Sequence, residues 1–531
     1  MHAYRTMPVF ILVSLLTLQG CQRLPDRPDH HPQLSQPLAA MNSLSPPLTT
    51  LPQPSLAQQF QQHQSQHPDQ SALYLLQTAK DAFVSRVFLL RHAQHSVELQ
   101  YYIWEDDLIG RLLLAEVLHA ANRGVRIRLI LDDHGSRQLD GMLIALAQHP
   151  NIDIRMFNPF AYRTWRWLDF VRNFQQQQKR MHNKAMIVDD TFLITGGRNI
   201  GNAYFRTEEQ SLVFADVDII AAGQPAITAR QWFNQYWQAP DSYPIQQLVS
   251  YSEQSANQHL QRILATQARD DAQRYLQQLK ETHFVQQLLQ HDLQWSWGAA
   301  QFISDRPDKI HQTNPAIDSI PAQIAENLNK PKQQLDLISA YFLPSDRDVA
   351  DLKRLVDRGV TVRILTNSLA STDVPPVHGF YAMQRPVLLD AGVKLYEYRA
   401  EQSMPSFGVQ GAWGERRTEH GSLHAKIFQW DLRHVFIGSF NLDPRSLLQN
   451  TECGLLIDSP ELAQRIDQGL DEKIDLSAYR VEYHPEQADQ LIWIAQDNDQ
   501  TTVLEHEPQA SVLSRLIAYL TTWFPIAKPY L

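Results

Sequence analysis

The sequence predicts an α/β chain of two homologous lobes, each a mixed β-sheet flanked by helices, sharing one composite site. Two observations carry this. The pattern His-x-Lys, four residues, Asp, six residues, Gly-Gly or Gly-Ser, x, Asn occurs twice. Its first copy is His182, Lys184, Asp189, Gly196, Gly197 and Asn199; its second is His424, Lys426, Asp431, Gly438, Ser439 and Asn441. In addition, SVELQYYIWEDD and NRGVRIRLILDD open the first half as QLDLISAYFLPSD and DRGVTVRILTNS open the second. Strand, helix, Gly-punctuated turn and strand describe a βαβ unit, and its recurrence marks an internal repeat. A chain of 531 residues with 43% apolar composition can bury two such cores.

Along the chain, residues 1–20 read as a leader: Arg5, the apolar run from Pro8 to Leu18, then Gln19-Gly20-Cys21. That run is too short to span a bilayer and has the shape of a signal peptide. Leu-x-Gly-Cys resembles the bacterial lipoprotein cleavage box, which implies a lipidated Cys21 and a lipid-anchored protein on the periplasmic side of the cell envelope, with the outer membrane as a possible destination. Residues 21–70, rich in Pro, Gln, Ser and His, read as a disordered tether. Residues 71–245 form the first lobe and 301–500 the second. Between them, 246–300 is Gln-rich with helical spacing (Leu260, Ile263, Leu264; Leu276, Leu279; Phe284, Leu288, Leu289) and reads as helices bridging the lobes. The tail 501–531 carries VLSRLIAYLTTWF, about a dozen apolar residues, which could lie in a membrane interface or pack on the second lobe. With Cys21 lipidated, Cys453 has no disulfide partner and reads as a small packing residue.

The chemistry sits in the duplicated pattern. Apolar, β-prone neighbours place His-x-Lys on a strand, where alternation points His182 and Lys184, or His424 and Lys426, to one face. Asp189 and Asp431 fall at the following turn. A second strand returns to Gly197-x-Asn199 or Ser439-x-Asn441, where small residues let backbone approach an anion. Two imidazoles, two ammonium groups and two amides suffice to break a phosphodiester, so no metal or other cofactor is called for. A further strand in each half carries a carboxylate that could fix an imidazole's tautomer through Nδ1: Glu452 in the second half, and Asp216 or Asp218 in the first. A net charge of −10 argues against a general nucleic-acid binder. Locally, Arg155, Arg163, Arg166, Arg172, Lys179 and Arg180 alternate with aromatic residues, which suits either an anionic membrane interface or a surface helix with a packed aromatic face.

On these residues, and on KRMHNK, GGRNIGNAYF, AQFISDRP, TNSLASTDVPPVHGFYA, SLHAKIFQWD and IGSFNLDPRSLLQNTE, the chain resembles the phospholipase D superfamily from about residue 73 to its end. Within that superfamily it is similar to bacterial cardiolipin synthases of the C type and their phospholipase D-like relatives. The resemblance implies a two-lobed sandwich with one composite site and two-step phosphatidyl transfer through a phosphohistidine. It implies His182 as nucleophile and His424 as acid/base, the near-symmetry leaving the reverse open. Asp189 and Asp431 count with the catalytic set, and Asn199, Ser439 and Asn441 with the phosphate ligands. Gly197 departs from the serine of many relatives. The expected substrates are phospholipids, with phosphatidylglycerol as acceptor and phosphatidylglycerol or phosphatidylethanolamine as donor. Hydrolysis to phosphatidic acid is the alternative, and a nuclease-like phosphodiesterase a more remote one.

Overall fold

A computed structural model describes residues 64–524 apart from 164, 208–211, 281, 291–292, 328–329, 402–420 and 498–499, together with Leu24, Phe60 and Lys528. Cys21, the leader and nearly all of the tether therefore lie outside the described residues.

The first half supplies β1 (Ser71–Leu76), β2 (Ser96–Tyr101), β3 (Arg126–Asp132), β4 (Ile152–Phe157), β5 (Ala185–Val188), β6 (Phe192–Gly196), β7 (Val213–Ala215), β8 (Asp218–Ala222) and β9 (Ser242–Pro244). The second supplies β10 (Ser296–Ser304), β11 (Gln334–Ser339), β12 (Thr361–Asn367), β13 (Lys394–Tyr398), β14 (Gly421–Leu423), β15 (Lys426–Trp430), β16 (His434–Gly438), β17 (Cys453–Asp458), β18 (Ala478–His484), β19 (Gln487–Asp497) and β20 (Gln500–Leu504).

The pairings arrange the first half as β9-β4-β3-β2-β5-β6-β8-β1. The second repeats that order as β18-β13-β12-β11-β15-β16-β17-β10, with β19 and β20 added at its edge. Strands β2 to β4 and β11 to β13 run parallel; the rest of each half is antiparallel. The repeat read from the sequence is thus a repeat of topology. Both Arg-Gly-Val turns close a helix, Leu108–Asn122 in one lobe and Asp346–Asp357 in the other. Gly124 and Gly359 follow at φ 94° and 87°, a left-handed conformation that glycine adopts without a Cβ penalty.

One apolar core is common to both lobes. It joins Leu73, Ile187, Leu193 and Ile219 to Ile338, Ile427, Val435 and Leu455, and includes residues of two helices in corresponding places, Gln224–Gln238 and Pro460–Ser477. Burial of these side chains, worth about 1.5–3 kcal/mol each, presses the sheets together. The bridging role expected of residues 246–300 is corrected here. Helices Glu253–Ala265, Asp270–Leu279 and His283–Leu289 place Leu260, Ile263, Tyr275, Leu279, Phe284 and Leu288 in the first lobe's outer core. The link between the lobes' sheets is β10, which pairs antiparallel with β1 through Ser296 to Gly298 and with β17 through Ala299 to Ser304. Its pairing partners lie far away in sequence, so local periodicity carries no sign of them. Among the described residues, no helix is long and apolar enough to cross a membrane.

Candidate active site

Each His-x-Lys lies at the entry to a strand: Lys184 precedes β5, and His424 and Ala425 separate β14 from β15, which Lys426 begins. The backbone there is extended but leaves its own sheet, because each imidazole-bearing residue is captured by the other lobe. The His182 N–H donates to Thr451 O at 2.8 Å, and the His424 N–H to Ala215 O at 2.7 Å. The short strand β7 pairs parallel with β14 and completes the seam on the His424 side.

The orienting carboxylates follow the same exchange. His182 Nδ1 donates to Glu452 at 2.8 Å, and His424 Nδ1 donates to Asp216 at 2.6 Å. Both carboxylates are buried. Of the two candidates in the first half, the structure selects Asp216. Asp218 instead pairs with Arg86 at 2.8 Å and lies 3.5 Å from Arg198. With Nδ1 committed on both rings, Nε2 is the atom left for chemistry.

The two half-sites act on one another. Burial pushes His182 well below the usual histidine range, and the Lys184, Lys426 and Arg445 charges push it further. Burial, Lys426 and Lys184 also lower His424, to about 4, against the opposing pull of Asp216. Lys184 itself is lowered to about 7 by burial, while Glu452 is raised to about 7 by the same cause. Lys426 is lowered as well. Asp216 is held low despite burial by the His424 ring, Lys426 and Arg198. Each lysine thus acts electrostatically on both imidazoles. Lys184 Nζ donates to His182 O at 2.7 Å, and Lys426 Nζ donates to His424 O. These buried ammonium groups make a site suited to an anion.

Asn199 and Asn441 are not equivalent in detail. Asn199 accepts from the Ile103 N–H at 3.2 Å and donates to Tyr204 at 2.8 Å. Asn441 Oδ1 is buried without a partner, so this amide keeps hydrogen-bonding capacity for a ligand. Ser439 departs from its expected place as a phosphate ligand. Its hydroxyl donates to Glu452 and accepts the Cys453 N–H at 3.0 Å, so it holds the carboxylate that holds His182. Gly197 now has a reason. A Cβ there would sit 2.1 Å from Asp216 Oδ1, so a side chain would push that carboxylate off His424. Gly197→Ala should fold yet lose activity about 10²-fold or more, measured as kcat with a melting curve as control.

Asp189 and Asp431 are corrected from catalytic to structural. Each stands at the far end of its strand, about 16 Å from the lysine by strand rise. Asp189 accepts from the N–H groups of Gln94, His95 and Ser96; Asp431 accepts from those of Lys332, Gln333 and Gln334. Both adopt φ above 50°, as do Asp190 and Leu432 beside them, so the carboxylate stabilises a strained turn and docks it to a loop. Asp189→Ala and Asp431→Ala should each lower stability by about 1–3 kcal/mol with kcat nearly unchanged, read by denaturant midpoint and turnover together.

Sequence reasoning missed several neighbours. The Tyr102 ring packs edge-on to His182 at 5.0 Å and lies beneath Lys184 Nζ at 5.6 Å. Tyr204 and Phe214 flank His424 at 5.3 and 5.0 Å. Nothing in the spacing singles these out, since aromatic residues before a turn are common. Cys453 is buried as expected, and its Sγ accepts from the Lys184 N–H at 3.4 Å.

The basic-aromatic stretch before the first motif also reads differently in three dimensions. Arg163 and Arg166 pair with Asp133, Arg180 pairs with Asp132, and Lys179 donates to Ile310 O. Those charges are spent inside the fold, whereas Trp165, Trp167, Val171 and Phe174 are exposed.

With the geometry established, the chain can be placed among known proteins. A family model described as cardiolipin synthase, PLD-like domain, matches twice, at residues 87–237 and 324–474. Cardiolipin synthase C of Escherichia coli (strain K12) is 38% identical over 468 residues, covering 87% of this chain and 97% of that protein. A cardiolipin synthase of Geobacillus thermodenitrificans is 26% identical over 404 residues, covering 76% of this chain and 65% of that protein. The crystal structure of phosphatidylserine synthase from Haemophilus influenzae Rd KW20 superposes with a TM-score of 0.53 at 14% identity, covering 86% of this chain and 95% of that one, which shows a shared fold. This chain belongs to the cardiolipin synthase, PLD-like domain family and is an enzyme of the phospholipase D superfamily.

Proposed function

We propose that this enzyme transfers a phosphatidyl group between phospholipids through a phosphohistidine, with cardiolipin as product and phosphatidylglycerol as acceptor. The observation that carries the reading is the pair of imidazoles, each held at Nδ1 by the opposite lobe's carboxylate, with two buried ammonium groups acting on both. Similarity to cardiolipin synthase C supports the choice of product.

His182 Nε2 attacks phosphorus, and the bond from phosphorus to the donor's headgroup oxygen breaks. That oxygen takes the proton of His424 Nε2. The acceptor hydroxyl then returns a proton to His424 as its oxygen attacks, and the phosphorus–nitrogen bond breaks. Lys184, Lys426, Asn199 and Asn441 stabilise the charge that grows on the non-bridging oxygens. Asp216, held low, pulls against the lowering of His424, and the negative charge of a bound phosphodiester pulls the same way, so His424 takes the acid role once substrate is bound. The rings of Tyr102, Tyr204 and Phe214 form apolar walls that favour a lipid alcohol over water. Incubation with defined phospholipids in detergent and EDTA, followed by thin-layer chromatography, should show cardiolipin. Phosphatidic acid instead would establish the hydrolase, and neither product would sink the proposal.

The proposal includes a membrane-bound protein in the cell envelope, anchored at Cys21; persistence of the unprocessed form in globomycin checks the anchor. The tail supports a second contact. Helix Val512–Thr522 seats Ala518 against Gly379 of the second lobe but leaves Val512, Leu513, Leu516, Tyr519, Leu520, Trp523 and Phe524 exposed. So the tail does pack on the lobe, and its outer face stays apolar. The exposed Trp165 and Trp167 lie in the segment between β4 and the first His-x-Lys. Leu516→Glu or Trp167→Glu should reduce vesicle partitioning about tenfold, measured by sedimentation, while turnover of a short-chain soluble phospholipid stays unchanged.

A further inference from the structure

Behind Glu452 stands a buried ion pair that the duplicated pattern does not contain. Asp305 follows β10, and its main chain and side chain both clasp Glu452. The Asp305 N–H donates to Glu452 O at 2.9 Å, and the Glu452 N–H donates to Asp305 Oδ2 at 2.9 Å. Lys309, one helical turn on, donates to the same Oδ2 at 2.7 Å and to Ser446 O at 2.9 Å. Both side chains of this pair are at most 2% exposed. The first lobe solves the same problem differently. There Arg198 donates to Leu76 O at 3.0 Å, to Gln77 O at 2.9 Å and to Asp216 O. Each orienting residue is therefore backed by one buried cation of its own lobe: Arg198 on the Asp216 carbonyl, and Lys309 acting through Asp305 on Glu452.

Enclosing an ion pair this completely is costly, and an apolar pair of similar size would pack the same volume with less penalty. Its retention directly behind a catalytic partner therefore asks for a role beyond packing. We infer that Lys309, held by Asp305, is a positioning residue for the His182 step, its ammonium keeping the Glu452 carboxylate ionised against the imidazole. This rests on the proposed role of His182. The charged and titratable groups that act on Glu452 come from four elements. His182 and Lys184 lead into β5, Lys426 begins β15, Asp305 and Lys309 follow β10, and Asp443 and Cys453 flank it on its own segment. Burial raises the Glu452 carboxyl while Lys184 and Lys309 oppose that rise, and Lys184 is itself near its own titration. Lys309 is then the cation outside the duplicated pattern that opposes the rise, held in place through Asp305.

The test is Lys309→Met in the full-length enzyme, with Lys309→Arg as its rescue. Removing a cation that acts on a buried carboxylate shifts it by about one pH unit or more. The acid limb of kcat/KM should therefore move up by about one unit in Lys309→Met and return in Lys309→Arg, with melting curves matched to wild type. Should Lys309→Met fail to fold, Lys309→Gln takes the same reading. A limb that stays in place, or a loss uniform with pH that arginine does not restore, overturns the inference. A ¹⁵N titration of the His182 ring separates this from the proposed function. If the wild type shows no phosphatidyl transfer but Lys309→Met still moves the His182 titration, the positioning role stands and the reaction assignment falls. An unmoved titration removes the positioning role whatever the reaction.

Discussion

His182→Ala and His424→Ala are each expected to lower kcat for phosphodiester cleavage by about 10⁴-fold or more, and the double variant to be scarcely worse than either single one. The non-additivity follows from the seam. One imidazole without the other can neither form the phosphorus–nitrogen bond productively nor protonate the departing alcohol, so the pair works as a unit. Trapping adds direction. His424→Ala should still accumulate labelled phosphoenzyme from a donor whose leaving group needs no proton, because loss of the acid/base also slows breakdown of the intermediate. His182→Ala should accumulate none. Label appearing in His182→Ala and not in His424→Ala would reverse the assignment. Full activity in both would end the proposed mechanism.

Glu452→Gln and Asp216→Asn carry the next largest expectation, about 10²–10⁴-fold each in kcat, because each amide can hold the wrong tautomer of its imidazole. The free enzyme should also show a narrow bell in kcat/KM centred near neutral pH. Its sign follows from the two groups pushed toward neutrality. Burial raises Glu452 to about 7, and this carboxylate must be ionised, so activity rises as pH climbs through that value. Burial lowers Lys184 to about 7, and this ammonium must be protonated to meet the phosphate, so activity falls above it. The apparent values belong to the coupled pair rather than to either residue. A bound phosphodiester adds negative charge, which raises the lysines and imidazoles, so the bell in kcat should extend to higher pH. Glu452→Gln should abolish the acid limb of kcat/KM, and a limb unchanged in that variant would refute this account.

How much of the site was legible depended on whether a residue's role was local. His182, Lys184, His424 and Lys426 stood out because one spacing occurred twice, and in the fold each lysine's charge acts on both imidazoles. The same spacing misled at Asp189 and Asp431. A residue required by a turn with positive φ recurs as faithfully as a catalytic one, and only the backbone N–H groups around its carboxylate reveal the difference. Ser439 was misplaced for a similar reason, its hydroxyl facing Glu452. Tyr102, Tyr204, Phe214 and the Asp305–Lys309 pair were invisible, since no periodicity marks a residue that acts through a neighbour hundreds of positions away.

From the sequence alone came the duplication, the α/β character of each half, and the two histidines with their lysines. These rest on short-range patterns, on alternation along strands and on a spacing that a hairpin imposes. What only the tertiary structure decided is that each lobe completes the other. Glu452 serves His182 and Asp216 serves His424, β10 rather than the helical insertion joins the sheets, and a buried cation backs each orienting residue. Such pairings depend on how two packed sheets meet across a shared core, and that encounter leaves no periodic trace along either strand.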